Sequence, residues 1–242
     1  TKHKDINDQE HTGIDVLILE SASSYIPDAV LEFSTQIESF EGTGLVTMIN
    51  TEFSVPSYEL MIDYDLLIFT TDSYYYDMEL TCQNVSDYIF QWGKVIISTF
   101  ALSDQGTNTI VSDLLNIYSP FQIGGPTLYS SAELGDFVPG HPIFNNVEQF
   151  VSYYRDNVIL SSNSELIATW NDSHYLIAEK GNVLAINSAI HLPYPIHSNG
   201  WTGDGWNLIE NSISYMFSED WLSTSPSSGT IPPGSYQDVD VS

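Results

Sequence analysis

The run Ile14–Glu20 (IDVLILE) carries apolar residues at successive positions, so both faces of any strand it forms must be covered. Such a strand has no solvent side, and it belongs in the middle of a parallel sheet with helices packed above and below. Leu45–Asn50, Asp65–Thr70 (DLLIFT) and Lys94–Phe100 (KVIISTF) are further strands, and Val183-Leu184-Ala185-Ile186 reads as a buried one. Between them the period changes. Asp28 or the serines before it can cap a helix reaching about Phe40, with Val30, Leu31, Phe33, Ile37 and Phe40 as its stripe. Met78, Leu80, Val85, Tyr88, Ile89 and Trp92 outline a second helix, which contains Cys82 and which Gly93 ends.

A third helix is expected over roughly Thr109–Ile117 and a last one over Trp206–Phe217. Alternating strands and helices of this kind specify a flavodoxin-like, doubly wound α/β fold with a mostly parallel sheet. Leu128–Val158 reads as loop-rich. After it Leu166–Asn171, Tyr175–Glu179 and Asn182–Ile186 follow closely enough to form an antiparallel extension, the last pair joined at Lys180-Gly181. Three segments result: a linker at 1–13, the α/β domain at 14–217, and a Ser/Pro/Gly-dense piece at 218–242 that reads as the start of a β-sandwich.

Charge narrows the partners. Five Lys+Arg against 32 Asp+Glu give a formal net charge of −27, which repels nucleic-acid phosphates and anionic lipid headgroups. No apolar run has the roughly 20 residues needed to cross a bilayer. One cysteine, Cys82, excludes an intrachain disulfide framework and a multi-cysteine zinc site. There is no GxGxxG and no phosphate loop, and Gly124-Gly125-Pro126 has no lysine beside it, so a nucleotide cofactor is not expected.

The succession VLILE, LLIFT, KVIIS, GHPIF and GNVLAINSAIH…GWNLIENSISYMF resembles the class I glutamine-amidotransferase-like superfamily, nearest its ThuA-like and extracellular branches. The tail DWLSTSPSSGTIPPGSYQDVDVS is similar to BACON-like and immunoglobulin-like modules of secreted multidomain proteins, which implies an extracellular or cell-surface polypeptide. The amidotransferase resemblance also implies where chemistry would sit. Its nucleophile is a cysteine on a tight turn after a central strand, which here reads Ser98-Thr99-Phe100-Ala101-Leu102, with no cysteine and no flanking glycine. Its histidine matches His191, but Leu192-Pro193 follow where an orienting glutamate would stand. The resemblance therefore implies a non-catalytic domain acting in structure, interaction or oligomerisation.

Two alternatives stay open. Ser98 or Ser103 could serve as a nucleophile with His191 in a divergent serine hydrolase, although G-x-S-x-G surrounds neither serine. Alternatively, exposed aromatics could bind carbohydrate. Asp72-Ser73-Tyr74-Tyr75-Tyr76-Asp77 follows the third strand at the sheet edge where open α/β folds hold ligands, and tyrosines beside carboxylates suit sugars or a protein partner. The candidate ligand-binding set is Asp72, Tyr74, Tyr75, Thr99, His191, His197, Trp201 and Asp204. His191 and His197 with Asp204 match no established metal spacing. Thr202-Gly203-Asp204-Gly205 lacks the repeated carboxylates of a calcium loop and is better read as a turn and helix cap, leaving Ca²⁺ a minor alternative. Trp206 is expected to be more deeply buried than Trp201, and His141 to mark a turn before a strand.

Overall fold

The computed structural model describes residues 13–22, 24, 26–102 and 116–218, together with the backbone of 224–225 and 240–241. In chain order the elements begin β1 (Ile14–Ser21), α1 (Pro27–Glu38), β2 (Thr43–Asn50), α2 (Tyr58–Met61), β3 (Leu66–Thr71), α3 (Met78–Phe90) and β4 (Lys94–Ser98). After these come β5 (Phe121–Ile123), β6 (Leu128–Phe137), β7 (Phe150–Arg155), β8 (Val158–Leu160), β9 (Glu165–Trp170), β10 (Tyr175–Lys180) and β11 (Val183–Ile186). The last elements of the domain are β12 (Thr202–Gly203) and α4 (Gly205–Phe217).

Ten strands form one sheet in the order β12-β7-β6-β9-β10-β11-β4-β3-β1-β2. The half β2-β1-β3-β4-β11 is parallel throughout. From β11 outward the pairing turns antiparallel. This is a mixed sheet with helices, four parallel pairings beside five antiparallel ones, and its parallel half has the flavodoxin-like arrangement. Alternation along the strands sorts the core into two layers. Val16, Ile18, Leu66, Ile68, Ile96, Leu184 and Ile186 pack with Phe33 and Ile37 of α1 and Leu208, Ile209 and Ile213 of α4. Leu17, Leu19, Leu67, Phe69, Val95 and Ile97 face the other way, against Cys82, Val85 and Ile89 of α3. Each such aliphatic side chain contributes about 1.5–3 kcal/mol by leaving water.

Four expectations need correction. Leu128–Val158 is strand-rich: β6 runs for ten residues and pairs with both β7 and β9. Its sequence LYSSAELGDF hides this because only Ala132 of the ten is buried, so no alternating apolar signal arises. Helix α1 is capped neither by Asp28 nor by a serine. Its cap residue is Ile26, with no side-chain hydrogen bond, and Pro27 opens the first turn. His141 precedes a short 3-10 turn, Pro142–Phe144, and not a strand. Trp201 is the buried tryptophan at 4% exposure, while Trp206 lies half-buried between Phe33, Phe40 and Trp201. The expected helix at Thr109–Ile117 and the β-sandwich start fall largely outside the described residues; beyond 218 these comprise only a two-residue pairing, Thr224–Ser225 with Asp240–Val241.

Candidate functional site

The parallel strands β1, β3, β4 and β11 all end at one edge, and each apolar run gives way there to polar residues: Glu20-Ser21, Thr70-Thr71, Ser98-Thr99 and Asn187-Ser188, every one buried. Sheet register brings them together. Ile186 stands opposite Ser98, so the next residues on the two strands, Asn187 and Thr99, meet. The Thr99 hydroxyl donates to Asn187 Oδ1 at 3.0 Å. Asn187 Oδ1 also accepts the Asp156 N–H at 2.6 Å, and Asn187 Nδ2 donates to the carbonyls of Asp156 at 2.9 Å and Tyr175 at 2.8 Å. One carboxamide thereby ties β4, the end of β7, β10 and β11.

Asp156 completes this brace. It is fully buried and accepts from the Thr127 hydroxyl at 2.7 Å and from the Leu102 N–H at 3.2 Å. Burial pushes its carboxyl up to about 7, against the opposing pull of hydrogen bonds from Thr127, Leu102 and Thr99. The turn after β4, where the resemblance implied a nucleophile, is therefore held from below by a network with no solvent face.

Ser98 is fully buried, and its hydroxyl donates to the Phe69 carbonyl at 2.8 Å. That proton is committed to the backbone rather than to an imidazole. His191 is also fully buried, and neither ring nitrogen has a hydrogen-bond partner. Burial, with a smaller contribution from His197, drives its pKa down to about 3, so the ring is neutral at ordinary pH. A general base needs a proton donor to receive from and a group to orient it, and the described structure supplies His191 with neither. Ser103 lies outside the described residues.

The aromatic candidates separate. Tyr74 is 51% exposed, but Tyr75 is buried and bonded through its hydroxyl to Thr71, and Trp201 is buried with its indole N–H donating to the Ile190 carbonyl at 2.8 Å. Tyr74, Tyr75 and Trp201 thus do not form one exposed platform, since burial alternates along the segment after β3, with Tyr74 and Tyr76 outward and Tyr75 inward. His197 packs edge-on to Tyr154, part of a knot of mutually tilted rings with Tyr129 and Tyr153. Asp204 is partly exposed and turns its carboxylate to the N–H groups of Glu148 at 2.8 Å and Gln149 at 2.9 Å, which lowers its pKa. It precedes α4 but makes no side-chain cap bond. Gly203, at φ +88°, allows this turn, since a Cβ there would lie 2.2 Å from the Gln149 carbonyl oxygen. Among the described residues, no group of three or more His, Cys, Asp or Glu is arranged to hold a metal ion.

Two groups were reached only in part by sequence reasoning, which named Thr99 and Asp72 but not their partners. One is the Thr99–Asn187–Asp156–Thr127 brace; the signal available for it was a lone asparagine ending the run VLAI. The other lies past β2 and β3. Glu52 is 1% exposed, with Oε2 accepting from the Ser24 N–H at 3.1 Å, the Ser24 hydroxyl at 2.8 Å and Asn50 Nδ2 at 3.4 Å. Asp72, partly buried, is raised to about 6 by burial and by the charge of Glu52. Two cavities elsewhere are remote from this edge: one of about 250 Å³ lined by Tyr64, Tyr88, Trp92, Lys94 and Phe217, and one of about 370 Å³ between Glu133-Leu134 and 148–151.

No protein-family model matches the sequence, and no curated protein does either. Solved structures do resemble the fold. A ThuA-like protein from Bacteroides uniformis superposes with a TM-score of 0.61 at 12% identity, over 88% of this chain and 95% of its own. For a cytoplasmic protein from Salmonella typhimurium the figures are 0.63, 10%, 84% and 98%. For a glutamine amidotransferase from Thermotoga maritima they are 0.52, 11%, 75% and 77%. At such identities a likeness speaks for the fold alone, and what it establishes is that this chain has the class I glutamine-amidotransferase-like fold.

Proposed function

We propose that the chain is a non-catalytic domain of amidotransferase-like fold, part of a larger secreted or surface polypeptide, working by interaction with another protein or with a second copy of itself. The observation that carries this reading is the state of Ser98, a nucleophile candidate of the hydrolase alternative, and of His191, which matches the family's histidine. Ser98 donates its proton to a backbone carbonyl inside the sheet, and His191 sits fully buried, with no partner on either nitrogen. Neither arrangement supports acyl transfer, which requires the nucleophile and base within hydrogen-bond reach of each other and of substrate. Interaction is supported by large side chains left in water where β2, β3 and β11 end: Phe53 at 67% exposure, Tyr76 at 69% and Tyr194 at 60%. The extracellular placement rests on the resemblance of the tail.

The deciding experiment is exposure of the purified chain to a fluorophosphonate and to a chloroketone glutamine analogue, read by intact mass. No covalent adduct is expected. A stoichiometric adduct on Ser98, Ser103 or Cys82 that disappears in His191→Ala would replace this reading with the hydrolase one.

A further inference from the structure

Glu52 follows β2 and Asp72 follows β3, so the two carboxylates flank the end of β1, which lies between those strands in the parallel sheet. Their surroundings are unevenly satisfied. The Ser24 and Asn50 donors to Glu52 converge on Oε2, and Oε1, inside a residue only 1% exposed, has no partner. Burial opposes ionisation of Glu52, but hydrogen bonding by Ser73, Ser24 and Asn50 outweighs it and holds the carboxyl below its ordinary value. The Ser73 hydroxyl is close enough to the carboxylate to favour its charge, yet reaches no hydrogen bond of normal geometry and is itself 4% exposed without a partner. A buried acceptor and a buried hydroxyl thus face one another's neighbourhood unpaired, and such groups normally have a partner. Among the described residues no Lys, Arg or His pairs with Glu52 or Asp72; the ion pairs found join Asp172 to Arg155 and His174.

Aromatic rings rim the same place. The Tyr76 N–H donates to the Thr51 carbonyl at 2.7 Å, which folds the segment after β3 over the end of β2. Tyr74, Tyr76 and Phe53, close in sequence to the two carboxylates, stand in solvent. Two carboxylates, a free acceptor and exposed rings match the needs of an organic cation, which takes hydrogen bonds, counter-charge and ring faces together. They match a metal ion less well, since the described residues offer no third ligand of the metal-binding types.

We propose that the Glu52–Asp72 pair is a binding site for an organic cation bearing N–H donors, a primary ammonium or a guanidinium. Glu52 Oε1 accepts one N–H, Asp72 supplies the second counter-charge, Ser73 contributes its hydroxyl oxygen, and Tyr74 and Tyr76 wall the site. The site uses neither Ser98 nor His191, so it stands whether or not those residues are inert.

The test is titration of the ¹⁵N-labelled full chain, followed by backbone amide shifts, with butylammonium, butanol, sodium chloride at matched ionic strength, and N-acetyl-lysine amide. Butylammonium is expected to shift the amides of Ser24, Glu52 and 72–76 saturably, with a Kd in about the millimolar range. Asp72→Asn and, separately, Glu52→Gln should each weaken it by about tenfold or more. Asp72 is partly exposed, so Asp72→Asn leaves a folded protein to measure should Glu52→Gln not fold. Tighter binding of N-acetyl-lysine amide than of butylammonium would support the site and assign it to a side chain of a protein partner; the reverse order would support it and assign it to a free amine. No saturable shift, equal shifts with sodium chloride, equal shifts with butanol, or unchanged affinity in Asp72→Asn would each overturn it.

Discussion

The two halves of the strand-end edge solve opposite problems. At β4 and β11 the brace around Asn187 is fully covered and paired, with His191 as the bare exception: Asn187 spends both ends of its carboxamide, and Asp156 is met by Thr127 and Leu102. At β1–β3 the chain places a largely charged carboxylate, Glu52, beside a second one, with buried atoms unpaired and aromatic rings in solvent. Satisfied buried networks rigidify, whereas an unpaired charged group holds unspent interaction free energy that a ligand can realise. In this structure the Asn187 brace serves as scaffold, and the neighbouring end of β1–β3 carries the unpaired buried atoms and the exposed rings.

The contrast breaks most visibly at Asn187. Asn187→Ala removes four hydrogen bonds and leaves the Asp156 N–H, two carbonyls and the Thr99 hydroxyl buried without it, so the expected loss is about 3–5 kcal/mol in urea unfolding. A loss below about 1 kcal/mol would mean that the brace is not the scaffold described.

His191 and Asp156 come next, and they act with opposite sign. The folded pKa of His191 is depressed to about 3, so its contribution is complete above its ordinary pKa of 6.5 and is lost progressively as pH falls below that. For Asp156 the folded pKa is raised to about 7 from 3.8, so its contribution is complete below the ordinary value and is lost as pH rises through about 7. Between about pH 4 and 6.5 the two slopes oppose one another, each worth up to about 1.4 kcal/mol per pH unit. Single variants should unmask them. Relative to wild type, His191→Leu is expected to gain about 2 kcal/mol on going from pH 6.5 to 5, because apolar surroundings lose nothing when the ring is replaced. Asp156→Asn should lose stability relative to wild type over the same interval. Difference curves from thermal melts at several pH values cancel the other titrating groups; parallel curves for either variant would refute its assigned environment.

Much of this architecture was readable because parallel strands announce themselves. Val16–Leu19 and Val183–Ile186 are apolar on both faces, and no solvent-exposed element can be. The hairpin β6–β7 was not readable, since β6 stands at the thin side of the sheet with its side chains mostly in water and so carries no period. The position of His191 after β11 was anticipated, whereas its isolation was not: burial of both nitrogens is a property of tertiary packing. Acidic residues are surface residues by default, which hid Asp156 and Glu52. The tyrosines at 74–76 read alike in sequence, but Tyr75 is buried while Tyr74 and Tyr76 stand in water, a sorting that only tertiary packing decides.

The smallest expected effect is the one that sharpens the open half. Asp72 is raised to about 6 by burial and by Glu52, so above that pH the folded protein carries two repelling carboxylates that the unfolded chain separates. Asp72→Asn removes the repulsion while keeping the shape, and should stabilise the unliganded protein by about 1 kcal/mol at pH 7.5, less than the whole shift implies because solvent reaches one side of the pair. The gain should fade as pH falls through 6, where wild-type Asp72 takes up its proton. A variant that is more stable alone and binds butylammonium less well would separate function from fold at this position, since a purely structural carboxylate would lose stability on neutralisation. Destabilisation at pH 7.5 would instead place Asp72 with Asn187 and Asp156, as scaffold.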